Sequence, residues 1–543
     1  MPQSRSRKER LRAARACPVE MFDGNACGRP IFQAEESADD APVCLMHSED
    51  PGKDAEAFEE ELDLILDQAQ TDGSVADFSW FVIPFMDGSN RTFAPKCRFR
   101  CATFVHDAVF EGSIFLADAD FGQAKFHEGA FFQGATFCGS VDFSFAEFSK
   151  DALFGDAEFS SLGYFRGASF AGKTEFDCCV FHSNALFQDA NFKGPATFDR
   201  TRILGRSTFS CATLCSRLTF RRVSLRRDFS SIPTINFTSV RIDNPESVEF
   251  RETDLGQAIF HNTDVSRIDF TQVSWFDRGR TQAYLRRKAL YRLLGNLIRR
   301  KPKGRRMRWN LLARIGRRQT TRLAVFDEIA DVKEGWAARE LRRTGGSADE
   351  RNYGVIAETY QQLKRNYDAK GDYWTAGHWH YGEMEMKRQH SRWRWKPLRW
   401  LSHHLSLVAL YKYASAYGES YMMPLLWLFF FVSAFAFLYP IPGLEFNPPA
   451  GAAPGWLGYV DWSTFFHAHA NEQPAWWWWK LPQFWSMILH SLMTSLSVAG
   501  FQRELRYAPS YPWGRMLALL ELLLTTTLGG LFLLAIRRQF KRS

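Results

Sequence analysis

Residues 119–137, ADFGQAKFHEGAFFQGATF, decide the fold of this chain. Within them a Phe recurs at steps of five, six and five residues, and a small residue lies two positions before each of these Phe. The same alternation runs over residues 99–225, where 21 of 24 ladder positions are Phe. The repeating unit is therefore A-x-F-x-x-A-x-F-x-x-x.

This spacing fits neither an α-helix, in which a five-residue step leaves the starting face, nor a simple strand of period two. It predicts a right-handed quadrilateral β-helix, in which each unit forms one side of a coil and each Phe stacks on the Phe one coil above. Four sides give 22 residues per coil, so the 24 positions predict six coils, roughly 29 Å tall. After an irregular stretch, steps of five resume from Phe250 to Trp275.

These residues resemble the eleven-residue variant of the pentapeptide-repeat family, over about a third of the chain. The resemblance implies the β-helix and leaves the function open. Some members mimic DNA through an acidic outer face. Here residues 97–225 carry 13 Lys and Arg against 14 Asp and Glu. Because mimicry needs a strongly negative field, this balance excludes it.

The N-terminal segment contains Cys17, Cys27, Cys44 and His47 in the pattern C-x9-C-x16-C-x2-H. Three thiolates and an imidazole suit tetrahedral zinc. So short a segment also has too small a core to fold unless a bound metal stabilises it. We therefore predict a structural zinc site. The alternative is a set of unpaired thiols, since all ten Cys lie in residues 17–215 and fit a reducing cytosol.

A basic segment follows the repeats. Residues 276–320 contain sixteen Lys and Arg and a single acid, Asp277. Residues 281–300 predict a basic amphipathic helix, and we expect it to contact anionic lipid head groups. A solvated surface is the alternative, and no nucleic-acid-binding motif is present.

Two further helical segments are predicted, one before the repeats and one after the basic segment. Residues 51–90 predict a capping helix and a lead-in to the first coil. Residues 353–389 predict a helical hairpin that breaks at Lys370, Gly371 and Asp372. His378, His380, Glu383 and Glu385 lie there, but an i, i+2 His pair points to different sides of a helix, so packing is favoured over a metal. The string NYDAKGDYWTAGHWHYGEMEMKR resembles a segment of pentapeptide-repeat proteins that bear a two-span channel-like C-terminus.

Two stretches are predicted to span a membrane, at about residues 422–440 and 516–536. Basic residues precede the first and follow the second: Lys387, Arg388, Arg392, Arg394, Lys396, Arg399, then Arg537, Arg538, Lys541 and Arg542. The positive-inside rule then predicts a multi-pass protein of the cell membrane with both termini in the cytoplasm.

Between the spans, LHSLMTSLSVAGFQRE is too polar for a third span. A re-entrant helix over about residues 482–497 fits better, anchored by Trp476–479 and Trp485 and ending near Gly500. Span, re-entrant helix, loop and span resemble the two-span pore domain of the potassium-channel superfamily, over about the last 120 residues. The family's filter Thr-Val-Gly-Tyr-Gly corresponds here to Val498, Ala499, Gly500, Phe501 and Gln502. Only the glycine and the aromatic residue after it are shared, and Gln502 replaces the second glycine. The resemblance therefore does not imply selectivity for potassium.

Further residues of this region have predicted roles, the first of them implied by the resemblance. Gly529 and Gly530 match the position of a gating hinge. Thr494, Ser495 and Ser497, with Ser491, offer hydroxyls to ions or to neighbouring helices. Glu521 either faces an ion pathway, which favours cations, or pairs with Arg503 or Arg506.

We therefore expect six regions: a basic zinc-binding segment (1–50), a cap (51–90), the β-helix (91–275), a basic collar (276–350), the hairpin and juxtamembrane segment (351–421) and a two-span pore domain (422–543). The predicted function is a homotetrameric cation channel whose cytosolic β-helix senses an unidentified ligand or protein. The alternative is a membrane-anchored scaffold without a conducting pore. No phosphate loop, nucleophile elbow or pair of acids in a cleft indicates an enzyme.

Overall fold

The computed structural model describes residues 16–21, 24–32, 43–50, 53–225, 234–277, 322–328, 352–390, 404–446, 459–468, 482–500, 507–509 and 511–540. The chain divides into two compact units, Met1–Gly371 and Asp372–Ser543, and each is described by itself. The amphipathic helix predicted over residues 281–300 lies outside the described residues.

The first unit contains a parallel β-solenoid of about nine turns. Its strands begin at Ala76, inside the segment that the sequence assigns to a lead-in. The first face consists of Ala76–Asp77, Cys97–Arg98, Ala119–Asp120, Val141–Asp142, Gly163–Tyr164, Ala185–Leu186, Ser207–Thr208, Ile235–Asn236 and Ala258–Ile259. The second consists of Val82–Ile83, Thr103–Phe104, Lys125–Phe126, Glu147–Phe148, Ser169–Phe170, Asn191–Phe192, Thr213–Leu214 and Arg241–Ile242.

The other two faces complete the coil. The third consists of Met86–Asp87, Ala108–Val109, Ala130–Phe131, Ala152–Leu153, Thr174–Glu175, Ala196–Asp199, Leu218–Arg221, Val248–Arg251 and Asp269–Thr271. The fourth consists of Thr92–Phe93, Ile114–Phe115, Thr136–Phe137, Glu158–Phe159, Val180–Phe181, Arg202–Ile203 and Ser224–Leu225. The register is in phase with the sequence repeat, since Phe126 pairs with both Phe104 and Phe148.

Phenylalanine rings fill the solenoid. Rings one coil apart stack, as Phe132 and Phe154 do with centroids 5.1 Å apart, and rings on neighbouring faces meet edge to face, as Phe143 and Phe154 do at 5.5 Å. Both geometries are favourable for aromatic pairs. The small residues that precede them, such as Ala152, are also fully buried and leave room for the rings. The predicted inward positions of Phe and Ala are thus confirmed.

One corner of each half-coil has left-handed backbone. Positive φ recurs every eleven residues at Gly112, Gln123, Gly134, Phe145 and Asp156. This corner gives a structural reason for an eleven-residue unit. Only some of the positions are Gly, so the sequence did not reveal it.

A helix covers the N-terminal end of the solenoid. Helix α1, Ala55–Asp72, begins after Asp54, whose carboxylate accepts from the backbone N–H of Glu56, and ends at the left-handed Gly73. Its apolar face, Phe58, Leu62 and Leu66 among others, is buried. The capping helix predicted for this region is present.

The last coil is covered by helix α2, Tyr353–Ala369, together with the segment 322–328. Leu323–Ala324 pairs with Phe276–Asp277 and leads into the 3-10 turn Phe326–Glu328. The Asn366 side-chain amide donates to the carbonyls of Val265 and Ile268, at 3.1 and 2.7 Å. These contacts satisfy backbone groups that the open edge of a sheet would leave unpaired.

Asp327 is buried at this end, and its carboxylate accepts from the backbone N–H of Phe260. Burial raises the pKa of Asp327 from 3.8 to about 7. A raised carboxyl pKa means that the folded state holds a proton which the unfolded state releases. Its contribution to stability is therefore complete below about pH 4 and declines, by about 1.4 kcal/mol per pH unit, as the pH rises to about 7.

We predict that Asp327→Asn removes this pH dependence, because the amide stays neutral and still accepts from Phe260. Hydrogen exchange of the Phe260 amide in the full chain should accelerate between pH 5 and pH 8 in the wild type, after correction for intrinsic exchange, but not in the variant. The exposed Asp264→Asn is the control. Equal pH dependence in wild type and Asp327→Asn would contradict the prediction.

The second unit is helical. It contains α3 (Tyr373–Gln389), α4 (Leu407–Ser415), α5 (Met422–Leu438), α6 (Trp462–Ala468), α7 (Pro482–Ala499) and α8 (Pro512–Phe540). A small antiparallel sheet joins Leu444–Phe446 to Tyr459–Val460 and Tyr507–Pro509. Helices are present on both sides of the predicted break at Lys370–Asp372.

Of the described helices, only α8 is long and apolar enough to cross a membrane. It has 29 residues, whereas α5 is apolar but has only 17 residues, about 26 Å of helix. The structure thus provides one candidate span, and the second predicted span rests on a shorter helix.

Candidate functional site

The four predicted metal ligands lie together at the N-terminal end of the first unit. The ligand atoms of Cys17, Cys27, Cys44 and His47 are all within 4.8 Å of one another. Among the described residues this is the only group of three or more His, Cys, Asp or Glu close enough to hold a metal ion. In particular, His378, His380, Glu383 and Glu385 do not form one.

Two short backbone elements position these ligands. Residues 16–21 and 24–30 form the two arms of a narrow hairpin, bridged at Ala16 and Pro30 and at Glu20 and Ala26, and carry Cys17 and Cys27. Cys44 and His47 belong to one turn, in which the His47 N–H donates to the Cys44 carbonyl at 3.1 Å. The turn therefore brings both of its ligands to the same side.

The spacing of the donor atoms suits a tetrahedral metal. Two sulfurs each 2.3 Å from zinc are about 3.8 Å apart, and the Cys27 and Cys44 sulfurs are 3.8 Å apart. Cys17 Sγ lies 3.6 Å from His47 Nδ1, and Cys44 Sγ lies 3.1 Å from it. All ten cysteines are free thiols, so the cluster is not a disulfide.

The surroundings of the cluster favour a thiolate at Cys27, whereas the neighbouring Cys17 and Cys27 side chains raise the pKa of Cys44. The Cys17 and Cys44 side chains, acting against burial, hold the pKa of Cys27 well below its ordinary value. Arg29 donates from Nη1 to the Cys27 sulfur at 3.5 Å and from Nε to Glu61 at 2.8 Å. Such contacts to ligand atoms are typical of metal sites. The residues therefore fit a divalent soft metal.

The metal segment also contacts the first coil. The Val82 N–H donates to the Met46 carbonyl at 2.8 Å, and the His47 ring meets the edge of Phe81 at 5.0 Å. The Lys53 ammonium donates to the carbonyls of Leu45, Ser48 and Val82. The site is thus placed to fix the cap of the solenoid.

In the second unit, α7 packs between α5 and α8. Near its beginning, the Phe484 ring lies 6.0 Å from Trp462, whose indole N–H donates to the Phe437 carbonyl at the end of α5. Near its other end, the Ser495 hydroxyl lies 3.0 Å from the carbonyl of Val432. Val432 is six residues, about 9 Å of helix, before the end of α5.

Glu521 lies where these three helices meet, and it is fully buried. Its carboxyl group is hydrogen-bonded to the hydroxyls of Tyr439 and Ser495. The sequence did not reveal Tyr439 as a partner. The predicted partners Arg503 and Arg506 lie outside the described residues, so that alternative stays open.

The other predicted pore residues are distributed as follows. Ser491, Thr494 and Val498 are buried within the unit, and Ser497 and Ala499 are half-buried. Gly500 is exposed at the end of α7, whereas Phe501 and Gln502 lie outside the described residues. Of the buried hydroxyls of α7, Ser495 contacts Val432 of α5 and Glu521 of α8, whereas Thr494 donates to the His490 carbonyl of its own helix.

The predicted hinge glycines lie on α8 away from other described parts of the chain. No described atom lies within 4 Å of where a Cβ would stand on Gly529 or Gly530. Each Gly in a helix costs about 1 kcal/mol relative to Ala. Packing within one chain therefore does not explain them.

The sequence analysis did not predict a polar cluster that links α3, α4 and Tyr417. Glu385 of α3 accepts from Arg388, from Lys412 of α4 and from the hydroxyl of Tyr417. Burial would raise the pKa of Glu385, but Arg388 and Lys412 outweigh it and hold the pKa well below the ordinary value. Arg538 near the end of α8 donates to the Tyr417 carbonyl at 2.9 Å.

Tyr417 is therefore a joint between α3 and α8. It is fully buried and has φ of 63°, a conformation that is costly for a residue with a side chain. The signal available in the sequence was Tyr417 followed by Gly418, which was too weak to identify it.

Comparison of the chain with known protein families, with curated proteins and with solved structures finds no match.

Proposed function

We propose that the second unit is the pore domain of a homotetrameric, cation-conducting membrane channel. The observation that carries this proposal is the path of α7. It begins beside the end of α5 and contacts Val432 about 9 Å along that helix. The chain then continues to Tyr507–Pro509, which pairs with Leu444–Phe446, a strand that begins six residues after the end of α5.

This path supports entry into the membrane and return to the same side. Residues 501–506 span up to about 20 Å when extended, which suffices for the return. Irregular backbone at such a depth is tolerated only where protein or water surrounds it. Several copies of one loop around a shared axis would provide that water.

Three features support the remaining parts of the proposal. One loop per chain suggests fourfold assembly, as in the pore domains that the sequence resembles. The C-terminal end of α7 carries partial negative charge, which favours cations. The joint at Tyr417 connects α3 to α8, and through it cytosolic regions are proposed to bias the position of α8, with Gly529 and Gly530 as the hinge.

A membrane-anchored scaffold is the second candidate. The observation that favours it is that only α8 among the described helices satisfies the length of a span. In that case the solenoid faces bind a partner and the second unit is an anchor.

For the N-terminal cluster we propose structural zinc. Three thiolates and one imidazole fill a tetrahedral shell and leave no position for substrate. Bound zinc would hold the hairpin of residues 16–30 against the Cys44–His47 turn.

The channel proposal is tested with purified full-length protein in planar bilayers. We expect current in the wild type, and block of that current by a membrane-impermeant thiol reagent in Gly500→Cys but not in Leu489→Cys, which is exposed on α7 about 16 Å of helix before Gly500. The wild type, whose own cysteines all lie in residues 17–215, controls for the reagent. Absence of current together with single chains in subunit counting would establish the scaffold instead.

A further inference from the structure

The hydrogen bonds around Glu521 indicate its protonation state. The Ser495 oxygen lies within hydrogen-bond distance of two acceptors, the carbonyl of Val432 at 3.0 Å and Oε1 of Glu521. A serine hydroxyl has one proton to donate. Both contacts can be hydrogen bonds only if one of the two partners donates a proton to Ser495. The Val432 carbonyl has no proton to donate, so the donor must be the Glu521 carboxyl group.

We propose that Glu521 is a neutral carboxylic acid and that this junction is a proton-binding site. In this arrangement Glu521 donates from Oε1 to Ser495, Ser495 donates to the Val432 carbonyl, and the Tyr439 hydroxyl donates to Oε2. Every polar hydrogen at the junction then has an acceptor. The three helices are joined by one continuous chain of donors.

The surroundings support the neutral form. Both side chains that contact the carboxyl are uncharged hydroxyls, and the group is 0% exposed. Phe435, Leu517 and Leu522 belong to the apolar cluster of this unit. An ionised carboxylate without a cation in such a place is strongly disfavoured.

The titratable groups on the packed elements are few. Tyr439 follows α5, and His490, five residues before Ser495, is the one on α7. On α8 the nearest charged residue in the described part is Arg515, which is exposed, and His467 on α6 is exposed too.

Loss of the proton has a structural consequence. The carboxylate could then only accept, so Ser495 would have to release Val432 in order to donate to Glu521. The contact of α7 with α5 would weaken while that with α8 remained. The site therefore couples proton binding to the position of α7, whether or not the unit conducts ions.

The test uses full-length protein in detergent and three variants. Glu521→Gln keeps a donor and an acceptor at the same positions, Glu521→Ala removes both, and the exposed Glu445→Gln is the matched control. Raising the pH from 6 to 9 should lower the unfolding temperature of the second unit, in the wild type and in Glu445→Gln, by about 5 °C or more. Glu521→Gln should show no such shift and should match the wild type at pH 6.

Infrared difference spectra between wild type and Glu521→Gln provide a second readout. We expect the wild type at pH 6 to contain the carbonyl band of a protonated carboxylic acid that the variant lacks. A carboxylate band instead, with Glu521→Gln as unstable as Glu521→Ala, would overturn the proposal. That result would mean that Glu521 is ionised and paired, for which Arg503→Ala and Arg506→Ala would identify the cation.

Discussion

Cys44→Ala is expected to remove about one equivalent of zinc from the purified chain and to release the N-terminal cap from the solenoid. Structural zinc contributes about 10–16 kcal/mol to the folding of small segments that depend on it. The residues before α1 have little else to hold them, since Met46 is their one fully buried apolar residue besides the cysteines in the described part. Metal analysis of the purified protein measures the first effect.

Hydrogen exchange at Val82 measures the second. Its amide donates to Met46 between the Cys44 and His47 ligands, so it should lose protection when the turn is released. Cys138→Ala, which removes an exposed thiol of the solenoid, should change neither zinc content nor exchange. Protein that retains full protection at Val82 after chelation, or that never contains zinc, would show that the thiols are not a metal site.

The sequence was sufficient for the solenoid because its information is local and repeated. Every Phe of the repeat occupies an equivalent buried position. A different residue at one of these positions, such as Leu214, therefore does not obscure the spacing. The left-handed corners were not predicted, because Gln123, Phe145 and Asp156 occupy positions where Gly would have been the signal. The β-helix boundary at residue 91 differs from the first strand at Ala76 because the early coil lacks regular Phe spacing.

The candidate sites also differ in how far apart their residues lie along the chain. Cys44 and His47 are three residues apart, so their spacing predicts that both bind the same metal ion. Glu521 contacts Tyr439 over 82 residues and Ser495 over 26, and no pattern along the chain connects them. An acid within an apolar helix could be recognised from the sequence, but its partners depend on how three helices pack. Tyr417 was missed for the same reason.

Phe154→Ala is expected to lower the free energy of unfolding of the solenoid by about 3–5 kcal/mol. Phe154 is fully buried and stacks on Phe132 and Phe176, with centroids 5.1 and 4.9 Å away. In a solenoid each coil is stabilised by its two neighbours. Removing one ring therefore leaves a cavity that weakens two interfaces at once.

Phe145 provides a matched control nine residues away. It is 52% exposed, lies at a left-handed corner with φ of 59°, and rests its ring on Gly167. Phe145→Ala should cost less than about 1 kcal/mol, and Phe145→Gly should recover part of that loss because glycine adopts positive φ without strain. Pulse proteolysis of the detergent-solubilised full chain in urea, following cleavage within the solenoid, measures all three. Similar losses for Phe154→Ala and Phe145→Ala would mean that the stacked rings are not the main source of stability, because the two changes delete the same atoms from a buried and from an exposed position.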